Sequence, residues 1–176
     1  MGIGTGSETD TKGTRSAGEN IRPGNMSSSL EENMEYLNGQ LGAGISFDVV
    51  YRVIQVGGRN ACMYFIDGFC KDEMMQKMLQ YFIGLKPEDL PENAHEMSKK
   101  NIPHVEVDLQ AEWEQIIYFI MSGVFALFID GYDQCLLIDS RTYPSRSVSE
   151  PEKDKALRGS KDGFVETIVF NTALIR

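Results

Sequence analysis

The apolar run Ile116–Ile129, IIYFIMSGVFALFI, constrains the fold most, because Ser122-Gly123 breaks it in the middle. Its 14 residues would cover about 21 Å as a helix against a hydrocarbon core of about 30 Å, too short to cross a membrane. A polar and a flexible residue between two apolar halves instead predict a helix end, a turn and a buried strand. Trp113, Ile116, Ile117 and Ile120 recur at helical spacing, which predicts an amphipathic helix over Leu109–Met121. Val124–Ile129 and Cys135–Asp139 then read as a hairpin around Gly131-Tyr132-Asp133-Gln134.

The same elements recur upstream. Ser29-Leu30-Glu31-Glu32 is a capping-box pattern that opens a helix to about Gln40, and Gly42 and Gly44 end it. Val49–Val56 and Ala61–Ile66 are β-branched and aromatic runs flanking Gly57-Gly58-Arg59-Asn60, a second hairpin. Asp72 opens a helix from Glu73 to about Ile83, whose Met74, Met75, Met78, Leu79 and Phe82 form a core stripe. A short helix is expected around His95, and Pro103–Val107 suits an edge strand. Phe65-Ile66-Asp67-Gly68-Phe69 and Phe128-Ile129-Asp130-Gly131-Tyr132 match almost residue for residue. Two explanations stand: a common way to end any strand, or two related units. The fold class is α/β, with two small subdomains, each a hairpin-based sheet with packed helices, at 30–101 and 102–146.

Residues 1–29 hold 15 Gly, Ser or Thr and little to bury, the composition of a disordered tail. Residues 147–176 read as a linker and a C-terminal helix from Gly163 to Ile175, with Phe164, Val165, Ile168, Val169, Thr172 and Ile175 as a broad apolar stripe. The chain stops inside that helix, as a piece leading towards an absent membrane domain would. Charge divides along the same line: residues 141–176 carry a balance of +2 and the preceding 140 a balance of −11. The overall net charge of −9 argues against nucleic acid as a partner.

Enzyme motifs are lacking: the chain has no phosphate-cradling G-x-x-x-x-G-K-[ST] loop, no G-x-S-x-G elbow and no H-E-x-x-H helix. His95 and His104 have no Cys or His at ligand spacing, so no catalytic residue, metal site or cofactor is nominated. The three cysteines form no C-x-x-C pair, and Cys70, at a strand-to-helix turn, is the thiol to test for reactivity. The polar constellation that stands out is Asp139-Ser-Arg-Thr-Tyr-Pro-Ser-Arg146 with Arg158-Gly-Ser-Lys-Asp-Gly-Phe164. Arginines in Pro- and Gly-bounded turns present bidentate forks to a carboxylate, of a ligand or of the protein itself. Arg141, Tyr143, Arg146, Arg158, Asp162 and Phe164 are therefore the ligand or interface candidates.

The run SVSEPEKDKALRGSKDGFVETIVFNTALIR, preceded by DSRTYPSR, resembles the segment leading into the membrane domain of GerA-family spore germination proteins. LGAGISFDVVYR, YFIDGFCKDE and NIPHVEV are more similar to the SpoVAF branch than to the nutrient-receptor A subunits. The family pattern falls on Asp139, Arg141, Tyr143, Pro144, Arg146, Arg158, Gly159, Asp162, Gly163, Phe164, Glu166, Asn171 and Leu174. It departs at Lys161, where a point charge replaces the frequent Arg fork.

The resemblance implies a soluble, non-enzymatic region of a spore inner-membrane protein, on the cytoplasmic, spore-core side. Its implied partners are other germination-protein subunits, which it would couple or assemble to control release of ions or dipicolinate. The alternative is a sensor that binds a small-molecule germinant between its subdomains.

Overall fold

The computed structural model describes residues 24–70, 72–100, 102 and 106–141. Helix α1 spans Leu30–Leu41 and opens as its capping pattern requires, with the Ser29 hydroxyl accepting the Glu32 N–H and Glu31 and Glu32 in the first turn. It ends at Gly42, in the left-handed conformation (φ 63°) that spares glycine a Cβ clash. Strands β1 (Val49–Val56) and β2 (Arg59–Ile66) pair antiparallel, Val56 opposite Arg59. Only Gly57-Gly58 lies between them, both at positive φ (54° and 78°), which is the geometry of a two-residue primed turn.

Helix α2 (Asp72–Gly84), a 3₁₀ turn (Pro87–Asp89) and the five-residue α3 (Ala94–Ser98) follow. Strand β3 (Val107–Gln110), helix α4 (Trp113–Met121) and strands β4 (Phe125–Ile129) and β5 (Cys135–Ile138) complete the described chain. The five strands form one antiparallel sheet in the order β1-β2-β4-β5-β3. The two expected hairpins are thus joined through β2 and β4, with Cys62 opposite Phe128 and Tyr64 opposite Ala126.

Helices cover both faces of this sheet. Leu37 of α1 and Trp113, Ile116 and Ile120 of α4 pack on the face that presents Cys62, Tyr64, Ala126, Phe128 and Leu137. Met78 and Phe82 of α2, with Ala94 and Met97 of α3, pack on the face of Ala61, Met63, Phe125, Leu127 and Leu136. This double cover explains why the central strands are continuous apolar runs instead of alternating ones: all of β4 and β5 is buried.

Three expectations are revised. Leu109 and Gln110 belong to β3 and not to the helix, which starts at Trp113. The Gln110 side-chain oxygen accepts the N–H groups of Ala111 and Glu112 at 2.9 and 3.2 Å, satisfying donors of the helix entry and closing the strand. The two Asp-Gly motifs are not equivalent, since Asp67-Gly68 leads towards α2 while Asp130-Gly131 makes the β4–β5 hairpin turn. Residues 24–29, placed in the tail on composition, belong to the fold. Met26 is buried and its N–H donates to Ala111 O at 2.7 Å, and the buried Asn33 amide pairs with both backbone groups of Ser27 at 2.6 and 2.9 Å. Residues 1–23, His104 and the expected linker and C-terminal helix at 147–176 lie outside the described residues.

Candidate functional site

Of the six candidates nominated by sequence, Arg141 is described; Tyr143, Arg146, Arg158, Asp162 and Phe164 lie outside the described residues. Arg141 stands where the described chain leaves the sheet, three residues past β5. Its Nε donates to Asp139 Oδ1 at 2.8 Å, its Nη2 pairs with Oδ2, and its backbone N–H donates to Oδ1 at 3.2 Å. The guanidinium bonded to it holds the Asp139 carboxyl below the usual carboxylate range, against a smaller opposing effect of burial. The fork anticipated for a carboxylate is thus engaged by a carboxylate of the same chain.

The neighbouring residues fasten this junction to the sheet. Asp139 N–H donates to Glu106 O at 3.1 Å, and an isolated antiparallel bridge joins Arg141 to Cys70. The Cys70 sulfur lies 3.4 Å from the hydroxyl of the buried Ser140. Burial raises the Cys70 thiol pKa and the Ser140 contact lowers it in part, so the thiol is not activated. Burial pushes Cys62 and Cys135 up to about 12. Among the described residues no three His, Cys, Asp or Glu gather as a metal site, and no helix is long and apolar enough to cross a membrane. His95 sits exposed on α3.

Sequence reasoning missed a second feature, the open edge of the sheet. Among the described residues β1 has β2 on one side and no strand on the other. On one face of this edge Tyr51 and Val53 are 41% and 53% exposed, and Tyr51 stacks on the buried Tyr64 at 5.7 Å between ring centroids. On the other face Arg52 of β1 and Met75, Leu79 and Ile83 of α2 line an open groove of about 540 Å³. A separate pocket of about 270 Å³ lies where α1 meets the start of α4, against Tyr36 and Trp113, whose rings are 4.6 Å apart. Glu32 and Glu35 stand on its rim. The Tyr51/Val53 alternation was visible in VVYRVIQV, but nothing local marks a strand as an edge.

The family model described as Bacillus/Clostridium GerA spore germination protein matches residues 35–176. The chain belongs to the GerA family. It is 29% identical over 147 residues to stage V sporulation protein AF of Bacillus subtilis (strain 168), which covers 82% of this chain and 30% of that protein. It is 32% identical over 162 residues to spore germination protein B1 of the same organism, covering 86% and 31%. The chain therefore spans less than a third of the length of these GerA-family relatives. The crystal structure of the N-terminal domain of the A subunit of the Bacillus megaterium spore germinant receptor GerK3 shares the fold, with a TM-score of 0.62. That match has 21% identity and covers 88% of this chain and 56% of the other.

Proposed function

We propose that this region is the non-enzymatic coupling and assembly module of a spore inner-membrane germination protein, on the spore-core side. In this role it docks partner subunits that together control ion or dipicolinate release. The observation that carries the reading is the β1 edge: eight residues of strand with one side unpaired among the described residues, outward Tyr51 and Val53, and a single charge, Arg52. Monomeric sheets usually blunt such edges with several charges, a proline or a bulge, and an edge left long and apolar is a template for strand addition.

The sensing alternative draws on the candidate arginines and on the GerK3 likeness, which reaches fold alone. Two features weigh against it. The Arg141 fork is engaged by Asp139, and β2 and β4 are hydrogen-bonded neighbours, so the described hairpins have no cleft between them for a ligand. The pocket beside Trp113 is where a small cationic or polar ligand would be sought if sensing is correct.

The test is Val53→Lys in the full-length protein, with co-purification of germination subunits from spores as one measurement and thermal unfolding of the isolated region as the other. An exposed site tolerates this change to within about 0.5 kcal/mol. Loss of co-purifying subunits with unchanged unfolding is expected. Unaltered co-purification would sink the assembly reading, and a selective thermal shift from one member of a panel of amino acids, sugars, nucleosides and dipicolinate would favour the sensor.

A further inference from the structure

Helix α2 runs alongside β1 from one end of the strand to the other. Val49 stands opposite Ile66, so the start of β1 and the end of β2 share one end of the sheet, and α2 begins near it at Asp72. At the other end the exit from α2 packs on the β1–β2 turn, where a Cβ added to Gly57 would lie 2.5 Å from Leu90 and one added to Gly58 would lie 3.4 Å from Pro87. Met78 and Phe82 hold the helix to the sheet in one core with Ile54, Val56, Ala61 and Met63.

A second stripe on α2, Met75, Leu79 and Ile83 at four-residue spacing, lines the groove of about 540 Å³ together with Arg52. Met75 and Leu79 are half-buried, and Ile83 is 54% exposed. Gln76, Gln80 and Gly84 complete the lining, so Arg52 supplies its one charge. The Arg52 side chain is exposed and takes part in no ion pair among the described residues. Strand alternation puts Arg52 on the α2 side of the sheet with Ile54 and Val56, and Tyr51 and Val53 on the opposite side, where Tyr51 stacks on Tyr64.

We infer that this groove selects the segment that docks on β1: an extended stretch of a different polypeptide, with a carboxylate side chain at its centre and an apolar side chain two residues to either side. The inference rests on the assembly reading and names the chemistry of the partner at that edge. A strand added to β1 lies about 4.8 Å beyond it, and its side chains alternate between the two faces of the sheet. The residue opposite Arg52 therefore stands over the groove, within reach for Asp or Glu to engage the guanidinium at two points. The residues two before and two after it fall on the same face. Met75 to Ile83 rises about 12 Å along α2, and five residues of strand span about 13 Å, so three same-face side chains match the apolar stripe in length. The intervening residues fall beside Tyr51 and Val53, where β-branched and aromatic side chains pack best. Charge sets the choice of guest: a wholly apolar strand would cover Arg52 and leave it unpaired, and a basic one would repel it.

The test places the photo-crosslinker p-benzoylphenylalanine at position 53 or 83 of the full-length protein, irradiates spores and maps the captured peptides by mass spectrometry. Val53 and Ile83, each about half exposed, report on the two faces of an added strand. The expected result is that both positions capture one stretch of a single partner subunit, with Asp or Glu within two residues of the site captured from 83. Arg52→Glu, with unfolding of the 176-residue chain unchanged, is expected to cut capture from 83 about tenfold or more, and replacing the captured acidic residue with Lys to restore it. Should Arg52→Glu fail to fold, Arg52→Gln decides by the same loss of capture. Capture from 53 alone, or capture from 83 that the arginine variant leaves at full yield, overturns the inference while the assembly reading stands. Capture from neither position, with co-purification unaltered by Val53→Lys, sinks the assembly reading and this inference with it. Capture from 83 alone puts something other than a strand in the groove and overturns the inference. So does a captured stretch without an acidic residue, a second copy of this chain, another part of the same chain, or lipid.

Discussion

Replacing Arg141 with Met separates an anchoring arginine from a ligand-binding one. The pair it forms with Asp139 is bidentate, and the two side chains keep 27% and 33% of their exposure, so the charges are neither fully solvated nor buried. Exposed ion pairs contribute about 0.2–1 kcal/mol, and the two-point geometry with partial burial puts this one near the top of that range, about 1 kcal/mol. For a folded unit of this size that is a loss of roughly 3 °C in Tm. The pH dependence gives a second, independent readout. Asp139 has a depressed folded pKa, so its contribution is complete above the unfolded carboxylate value of about 3.9 and is lost as pH falls through the lower folded value. Arg141→Met should therefore lower stability at pH 7 and flatten the acid limb of the stability profile below pH 4, and Asp139→Asn should give the same profile with little added effect in the double variant. Urea unfolding of all four proteins from pH 2.5 to pH 7 measures both quantities. A stability and acid limb identical to wild type would refute the anchor, as would additive single effects, since a true pair must couple in a double-mutant cycle.

Three further outcomes follow from the packing. An added Cβ at Gly42 meets nothing within 4 Å, whereas at Gly123 (φ 93°) it would lie 2.7 Å from the Phe69 ring; Gly42→Ala should cost about 1 kcal/mol and Gly123→Ala about 2–5 kcal/mol in urea unfolding, and equal costs would contradict the close approach. With pKa values of about 12 and full burial, Cys62 and Cys135 should react with a thiol reagent at pH 8 roughly 10³-fold more slowly than free cysteine, with Cys70 between. A single common rate for all three in the folded chain would refute that ordering. The buried Tyr132 hydroxyl donates to Pro91 O at 2.5 Å and ties the β4–β5 turn to the segment before α3. Tyr132→Phe strands that carbonyl and should cost about 1–2 kcal/mol in the same assay, an unchanged midpoint being the contrary result.

What could be read from sequence was what local chemistry decides. Ser29 with Glu32, Gly57-Gly58 and the Ser122-Gly123 break each solve a backbone problem within a few residues, so the elements they bound lie where the pattern put them. Leu109 was misread because it fits two periods at once: it extends the helical stripe of Trp113 and Ile116, and it also alternates with Val107 in a strand. Pairing with β5, Leu109 opposite Leu136, decides between them, and that contact is 27 residues away in sequence. The short Gly24–Ser29 stretch was misassigned for a similar reason, since its partners, Ala111, Trp113 and Gly131, are distant in the chain. Arg141 was singled out as a fork for some carboxylate, and only geometry shows that Asp139, two residues before it, receives that fork.

The two edges that the described residues give the sheet differ in a way that bears on what can dock. β3 is four residues long, with Asp108 and the preceding Glu106 exposed, a short and acidic margin that discourages pairing. β1 is twice that length and carries one charge, Arg52. Association confined to β1 is finite, because a strand added there does not regenerate the same edge, whereas β1-to-β3 pairing between copies would propagate as a filament. A second copy fits β1 poorly. Two-fold pairing along the full strand must centre on Arg52, which opposes two guanidinium groups, or on Val53, which sets each Arg52 against an Ile54, and neither supplies a carboxylate. A different chain with an acidic residue at that position satisfies the arginine and the apolar positions together. The purified chain is accordingly expected to sediment as a monomer at micromolar concentration. A stable dimer that Val53→Lys dissolves would show that the edge serves self-association, against a partner of different sequence.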